Sequence, residues 1–372
     1  MEFTIRTVND HQELEKAINL LGTVFPEEQL FFQNRLEKEP AYSFNTTWIA
    51  EKEGDMASVV QIFPFSIWVS GVEVKTAGIG NVATHPDYRG HRLTHRILEE
   101  IEQKLLERQY GLSNLFTGIP GFYEKAGWQT VNQPIPIIKA GHMKQVWDGA
   151  FPGGKLDIQT VTGNDLESIR AIYEAFSTTL NGPRIRSEDY WKKQIENENE
   201  NENDYFQKAV RDDTVLSYIR AVKKSDVLNI HELCSLDGEK DSMVPLVLSL
   251  LDPQIKTVRC LLPMNHFILK DVPYDIEENR VGMWKIIDQD EVLQQFQSVF
   301  EKRGSHLGMD HLQLSFLEDS WLFSWENGNT ELKQSEFLHY LMRGADEIPD
   351  RHSMIKELFP ESSYIFWSKD RF

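Results

Sequence analysis

The chain has 372 residues, of which 40% are hydrophobic and 26% charged, so it holds enough apolar material for two or three packed domains. Its 58 acidic and 39 basic side chains give a net charge of −19, which argues against nucleic acid or an anionic membrane as main partner. No apolar run approaches the roughly 18 residues of a membrane span, and the N-terminus lacks a secretory pattern. The two cysteines, Cys234 and Cys260, lie in apolar runs, so we expect buried, reduced thiols in a cytoplasmic protein.

Residues 1–150 are predicted to form one α/β unit. In chain order its elements are a strand at residues 3–8, a helix capped by Asp10, a helical stretch at 27–38, strands at 46–51, 57–69 and 74–84, an amphipathic helix from Leu93, a strand at 113–117 and a short helix at 121–126. A loop at residues 149–154 ends this unit.

The same order of elements restarts after that loop. The second unit, residues 151–282, is predicted to contain a strand at 156–161, helices at 165–180 and 187–195, strands at 205–211, 215–222 and 227–233, a helix at 243–251 and a strand at 257–262. The third unit, residues 283–372, is predicted to contain a helix at 290–303, strands at 312–317 and 320–325, helices at 335–343 and 353–358, and a final strand at 364–367. We therefore predict an α/β (α+β) fold with two tandem mixed-sheet units and a third α/β domain.

One stretch, residues 81–94, joins a strand to a helix in a way that favours phosphate binding. It reads N-V-A-T-H-P-D-Y-R-G-H-R-L-T, so an apolar strand breaks at His85 and enters the long helix through an Arg-Gly turn. Backbone N–H groups at a helix start have no intrahelical partner, and the helix dipole favours anions there. We predict a pyrophosphate site in this loop. The matching stretch of the second unit, residues 235–242, carries carboxylates that would repel a phosphate.

The segment from Val74 to Trp128 resembles the GNAT superfamily of acetyl-CoA-dependent N-acetyltransferases. The family loop reads Arg or Gln, two residues, Gly, one residue, then Gly or Ala. This chain has R-G-H-R-L-T from Arg89 to Thr94, with Arg92 and Thr94 where the family prefers small residues.

The order of the three units resembles the enhanced-intracellular-survival subfamily, whose third domain is similar to sterol carrier proteins. Three local features carry this resemblance: the sequence F-Y-E-K-A-G-W at residues 122–128, the entry into the third domain at residues 281–286, and the terminal D-R-F at residues 370–372. The resemblance implies two tandem GNAT-like units followed by a sterol-carrier-protein-like domain that delivers the C-terminal carboxylate.

The resemblance also implies a set of site residues, with acetyl-CoA as co-substrate. Those expected to bind it are Val82, Ala83, Thr84, Arg89, Gly90, His91, Arg92, Leu93, Thr94, His95, Gly118 and Ile119. Tyr123 is implied as the general acid that protonates the departing thiolate, and the carboxylate of Phe372 as the general base that accepts the amine's proton. Most chain termini do nothing, but the last ten residues here are rich in apolar side chains, which indicates a docked tail.

The function predicted is acetyl transfer to a primary amine of a small cationic acceptor, such as an aminoglycoside, a polyamine or a lysine-like compound. The resemblance further implies a homo-oligomer, such as a hexamer. Two alternatives stay open: acetylation of protein lysines, and non-catalytic binding of acyl-CoA or lipid through the third domain. His85, His91 and His95 lack the spacing and the partner residues of a zinc site, so we predict no metal.

Overall fold

A computed structural model of the protein describes residues 2–38, 42–147, 156–197, 203–345 and 353–372, so the predicted loop at 149–154 lies outside the described residues. The helices are α1 His11–Val24, α2 Gln29–Lys38, α3 Leu93–Glu107, α4 Pro120–Glu124, α5 Ala140–Trp147, α6 Leu166–Ser177, α7 Glu188–Asn197, α8 Met243–Leu250, α9 Gln289–Ser305, α10 Gln334–Arg343 and α11 Ser353–Leu358. The strands are β1 Thr4–Thr7, β2 Thr47–Lys52, β3 Asp55–Val69, β4 Val72–Thr84, β5 Leu112–Phe116, β6 Gln129–Thr130, β7 Ile135–Lys139, β8 Asp157–Thr160, β9 Arg184–Ile185, β10 Asp204–Arg211, β11 Thr214–Lys224, β12 Val227–Ser235, β13 Thr257–Cys260, β14 Asp275–Glu277, β15 Gly282–Ile286, β16 Gln313–Leu317, β17 Ser320–Trp325 and β18 Gly328–Lys333.

Two large sheets share one strand order, which confirms the predicted mixed α/β fold. The first sheet runs β1-β2-β3-β4-β5-β15-β6, and the second, in the matching direction, runs β8-β10-β11-β12-β13-β7-β14. The pairs β4–β5 and β12–β13 are parallel, whereas the remaining pairs of the two sheets are antiparallel. The segment β12-loop-α8-β13 therefore corresponds to β4-loop-α3-β5. A smaller antiparallel sheet, β16-β17-β18, lies near the C-terminus.

Each large sheet also includes a strand that is distant in the sequence from its neighbours. β15 lies between β5 and β6 in the first sheet, and β7, which belongs to the first 150 residues, lies between β13 and β14 in the second. β9 extends the first sheet by pairing with the distal half of β3. The boundaries at 1–150, 151–282 and 283–372 stay a prediction. Each large sheet, however, contains a strand from a different predicted unit than most of its other strands.

The first sheet buries both of its faces. On one face it packs against the apolar stripe of α3, whose residues Leu93, Ile97, Ile101 and Leu105 are each at most 3% exposed. On the other face, Phe63 and Phe65 of β3 join the core formed by α9, α10 and the small sheet. The second sheet has its own core with α6 and α8. Cys234 on β12 and Cys260 on β13 lie in that core and are buried free thiols, as predicted.

The predicted final strand at residues 364–367 is wrong. This segment makes only an isolated bridge, from Tyr364 to Asn181. Its side chains alternate because it runs between two cores: Tyr364 and Phe366 belong to the core beneath the first sheet, whereas Ile365 and Trp367 belong to that of the second. The strand-like apolar pattern therefore reflects burial on two sides and not membership of a sheet.

Candidate active site

The site forms where β4 and β5 part. The two strands pair in parallel over Thr76–Ile79 and Leu112–Leu115. Beyond Ile79, β4 continues to Thr84 and pairs with β3 on its other side. From Gly80 onward the β5-facing edge of β4 is therefore open, and its backbone groups can hydrogen-bond a ligand.

A bulge in β4 precedes the loop that joins this strand to α3. The register of β3 with β4 shifts so that Asn81 and Val82 together face a single residue of β3, and Asn81 has a φ of 49°. Such a bulge bends its strand and changes the direction of the following backbone. In this sheet it acts on Val82, Ala83 and Thr84, which line the cavity described below.

The loop residues Gly90 and Arg92 both have left-handed backbone, with φ of 85° and 56°. Arg92 occupies the N-cap position of the 15-residue helix α3 and makes no side-chain capping bond there. The first backbone bond of α3 runs from the Arg96 N–H to the Arg92 carbonyl, so the N–H groups before Arg96 have no partner within the helix. The start of α3 therefore has open N–H groups, the feature that anion-binding helix starts share, and Arg92 adopts a backbone conformation that usually requires glycine.

The side chain of Thr94, which stands where the family prefers a small residue, is buried and does not face solvent. It is 8% exposed, and its hydroxyl lies 3.1 Å from that of Thr84. The Thr84 hydroxyl is in turn 2.9 Å from that of Ser58, which donates to the Ala83 carbonyl. This chain of hydroxyl groups ties the first turn of α3 to the end of β4.

Tyr123 lies on the short helix α4 and is 7% exposed. Its ring packs edge-on against Phe122 and Trp128, with centroids 5.0 and 6.3 Å away. Burial raises the pKa of the Tyr123 hydroxyl to about 12, because the charged phenolate is poorly solvated there. The side chain therefore remains a protonated donor throughout the physiological pH range.

These elements enclose one cavity of about 410 Å³, a size typical of small-molecule sites. Its lining includes ten of the twelve residues predicted to bind acetyl-CoA, together with Tyr123; these ten are Val82, Ala83, Thr84, Arg89, Gly90, Arg92, Leu93, Thr94, His95 and Ile119. His91 and Gly118 are not among its lining residues. Val24, Tyr88 and Phe122 complete the wall and had not been predicted.

The C-terminal Phe372 is docked, but on the opposite face of the first sheet. Its ring stacks on Phe63 at 4.8 Å and contacts Phe65 and Phe116 at 5.8 and 5.6 Å. The ring fills the space left by Gly78, where an added Cβ would lie only 2.2 Å from its Cζ.

The backbone oxygen of Phe372 lies beside Gly80, 3.5 Å from the position of an added Cβ. Gly80 precedes Val82 of the cavity wall by two residues, a span of at most about 7 Å. The structure thus places Phe372 and Tyr123 on the two sides of the sheet, separated by the opening between β4 and β5.

The glycines that accommodate the tail were missed in the sequence, although a signal was present. Gly78 and Gly80 lie inside a strand, where glycine often marks the close approach of another group. Val24 lies at the end of α1, far from the loop in the sequence, and no local pattern connects it to the site.

The three histidines near the loop have separate environments. His85 accepts from the Asp87 N–H, His91 packs near Phe3, and His95 packs edge-on against Phe122 at 4.3 Å. Within the described residues, no group of three or more histidine, cysteine or acidic side chains is arranged to hold a metal ion. Nor does any helix in these described segments have the length and apolarity needed to cross a membrane.

Residues 4–131, which carry this loop, the cavity and Tyr123, match the family model of an acetyltransferase (GNAT) domain. The chain contains a GNAT domain. No curated protein sequence matches the chain significantly. The GNAT match ends just before β7, which is the first strand of the second sheet along the chain.

Solved structures share the fold over the whole chain. A GCN5-related N-acetyltransferase from Anabaena variabilis is similar with a TM-score of 0.75 and 14% identity, and the match covers 100% of both chains. One from Kribbella flavida has a TM-score of 0.70 and 13% identity, covering 100% of this chain and 98% of the other. Eis1 from Mycobacterium abscessus has a TM-score of 0.67 and 12% identity, covering 100% of both. Because the identities are this low, the likeness establishes the fold of the whole chain and nothing about its activity.

Proposed function

We propose that the protein is an N-acetyltransferase that moves the acetyl group of acetyl-CoA to a primary amine of a small cationic acceptor. The observation that carries this proposal is the cavity of the GNAT domain, which is lined by the start of α3, the open end of β4 and the buried side chain of Tyr123. Acetyl-CoA supplies an activated acetyl group, and the chain supplies the rest.

The residues present fit the donor's phosphates. The N–H groups at the start of α3 have no helical or capping partner, and Arg89 and Arg92 line the same cavity. A guanidinium beside a phosphate forms charge-assisted hydrogen bonds, which are about twice as strong as neutral ones. Val82, Ala83 and Thr84 present open backbone to the remaining part of the donor, and an N–H there is suited to polarise the acetyl carbonyl.

Tyr123 is suited to give a proton to the departing thiolate. A thiol has a pKa near 8.5 and is therefore a stronger acid than a phenol, whose pKa is about 10. Proton transfer from the phenol to a free thiolate is thus unfavourable, and it becomes favourable only when the two groups form a hydrogen-bonded pair. The raised pKa of the Tyr123 hydroxyl, about 12, keeps the proton on the side chain until the thiolate forms. General acid catalysis of this kind typically contributes about 10²–10⁴-fold.

The carboxylate of Phe372 is proposed to accept the proton that the amine loses. A C-terminal carboxyl group has an ordinary pKa of about 3.5, so it is ionised at neutral pH. Its position beside Gly80, at the parting of β4 and β5, supports access to the acceptor side of the opening. The acceptor amine attacks in its neutral form. As the C–N bond forms and the C–S bond breaks, one proton passes from the amine nitrogen to Phe372 and one from Tyr123 to the departing sulfur. Loss of the first proton to solvent and return of a proton from solvent to Tyr123 restore both groups.

A small cationic acceptor is favoured by the net charge of −19, which attracts cations to the surface, and acetylation of protein lysines remains the enzymatic alternative. Lipid binding by the third unit has less support, because its interior is filled by stacked rings. Trp321 and Phe337 lie 4.0 Å apart at an angle of 8°, and Phe300 and Phe359 pack around them. Membership of the enhanced-intracellular-survival subfamily, a sterol-carrier-like third domain, a cytoplasmic location and a homo-oligomer all stay proposals.

Release of free thiol from acetyl-CoA tests the function. The purified protein would be incubated with acetyl-CoA and a panel of amines: an aminoglycoside, a polyamine, free lysine, a lysine-containing peptide and no acceptor. We expect acceptor-dependent release with at least one small amine and less with the peptide. Tight acetyl-CoA binding without release on any amine would refute the proposal and favour the non-catalytic alternative. Deletion of Phe372 should lower turnover while acetyl-CoA binding stays the same.

A further inference from the structure

Asp370, two residues before the C-terminus, belongs to a fully buried cluster of charged side chains. The Arg186 Nε donates to Asp370 Oδ1 at 2.9 Å, and its Nη2 donates to Asp370 Oδ2 at 3.0 Å. The same guanidinium donates to both carboxylate oxygens of Glu232, at 3.0 and 2.5 Å. All three side chains are 0% exposed.

The cluster is neutral and highly connected. Arg220 lies 3.8 Å from Glu232, so two arginines balance two carboxylates in the buried interior. Tyr190 donates to Asp370 Oδ1 at 3.1 Å, and Tyr218 donates to Glu232 Oε1 at 2.5 Å. A buried charge is costly unless it is paired and hydrogen-bonded, so Asp370 is held strongly in this one position.

The partners of Asp370 all belong to the second unit. Its direct partners are Arg186, which follows β9, and Tyr190 on α7. Arg186 in turn binds Glu232 on β12, and the neighbouring Ser368 hydroxyl is 2.7 Å from Nδ1 of His231 on the same strand. The tail is therefore tied to β12 of the second sheet through Arg186 and His231, whereas its last residue lies on the first sheet. Two residues of extended chain reach at most about 7 Å, so an anchored Asp370 confines the terminal carboxylate to a small region.

The aromatic surroundings of Phe372 do not provide this restraint by themselves. Phe63, Phe65 and Phe116 contact the ring, and dispersion contacts of this kind are not directional. They hold the ring in place but do not determine where its carboxylate points. The anchor at Asp370 fixes the direction from which the backbone approaches Gly80.

We infer that Asp370, held by Arg186 and Tyr190, is a positioning residue that sets the terminal carboxylate of Phe372 against β4. The second unit, whose own loop carries carboxylates in place of the phosphate-binding turn, thereby contributes to the reaction on the first sheet. This inference rests on the proposed role of that carboxylate as the group that accepts the amine's proton. The anchoring part of it can be tested without any catalytic assay.

Accessibility of the terminal phenylalanine to carboxypeptidase A reports the anchor directly. The variants are Asp370→Asn, which removes the charge paired with Arg186, and Tyr190→Phe, which removes a single hydrogen bond to Asp370. Tyr218→Phe is the matched control, because it removes the same group from the same cluster but on the Glu232 side. We expect release of phenylalanine from the folded protein to rise at least tenfold in Asp370→Asn and about threefold in Tyr190→Phe, with Tyr218→Phe within twofold of wild type.

Turnover provides the second readout. In Asp370→Asn and Tyr190→Phe we expect kcat to fall in proportion to tail release, while the Kd for acetyl-CoA stays within twofold; a merely structural defect would change both. Should Asp370→Asn fail to fold, Tyr190→Phe still decides the question.

Three outcomes are informative. Wild-type rates of phenylalanine release in both tail variants overturn the anchor. Raised release with wild-type kcat, in a protein that also keeps its activity when Phe372 is deleted, supports the anchor and refutes the proposed base instead. Raised release with full kcat, where deletion of Phe372 does lower kcat, overturns the positioning role.

Discussion

The Phe372 ring packs directly against Gly78, so a methyl group added at Gly78 tests whether the position of the C-terminal tail matters for activity. In Gly78→Ala the new Cβ would lie 2.2 Å from Cζ and 2.5 Å from Cε1 of the ring. Carbon atoms in contact are about 3.5–4.0 Å apart, so the ring must retreat by more than 1 Å. Overpacking of this kind costs about 1–3 kcal/mol, and a 1 Å misplacement of a reacting group costs about 10²-fold in rate. We expect kcat to fall about 10²-fold with the Kd for acetyl-CoA unchanged.

The assay is acceptor-dependent thiol release, with acetyl-CoA binding measured separately by calorimetry. Gly141→Ala is the matched control, because an added Cβ meets nothing within 4 Å there and alanine suits a helical position such as this one in the first turn of α5. A second variant, Phe372→Ala, keeps a terminal carboxylate but removes the ring. If the clash with the ring is the cause, Gly78→Ala should have no further effect in that background. Full kcat in Gly78→Ala, or an undiminished loss without the ring, would refute the reasoning.

Three further predictions concern single side chains. Tyr123→Phe should lower kcat by about 10²–10⁴-fold at unchanged acetyl-CoA affinity, and wild-type kcat should show no loss between pH 8 and 10, because the pKa of this hydroxyl is raised to about 12. Arg92→Gly should weaken acetyl-CoA binding about tenfold in calorimetry while changing the free energy of unfolding by less than about 1 kcal/mol, since relief of the left-handed φ offsets the flexibility of glycine. Burial lowers the pKa of His266 to about 4, so its stabilising effect is present above pH 6.5 and is lost as the pH falls toward 4. Urea unfolding should show the wild type losing about 3 kcal/mol over that interval relative to His266→Gln; parallel pH curves would contradict the assignment.

Local patterns in the sequence predicted the elements that build the first sheet and its site. The spacing of Leu93, Ile97, Ile101 and Leu105 placed α3, because a helix buries residues four apart on one face. Asp10 caps α1 as expected, accepting from the Glu13 N–H at 2.9 Å. The cavity at the start of α3 followed from the same logic, since a strand that ends at a helix start leaves backbone donors open whatever the side chains of Arg92 and Thr94 are.

Non-local pairing was not predictable in this way. β7 is a short apolar run with a proline, and its partners β13 and β14 lie more than a hundred residues later. β6, β9 and β14 are two or three residues long, too short for an alternating pattern to appear. The tail was misassigned for a related reason, because alternation indicates two apolar surfaces and does not say whether a neighbouring strand or a second core supplies them.

The exchanged strands and the anchored tail have a common consequence for the site. β5 forms one side of the opening that holds the proposed chemistry, and its outer edge is paired with β15, whose Met283 and Trp284 are fully buried. β4 forms the other side of the opening, and Phe372 packs against its Gly78 and Gly80. The residues just before Phe372 are bound to the second sheet. Both sides of this opening thus depend on residues more than 150 positions beyond the loop that joins β4 to α3. We therefore propose that the segment matched by the GNAT model, residues 4–131, binds the donor, and that the geometry of the acceptor side depends on the whole chain.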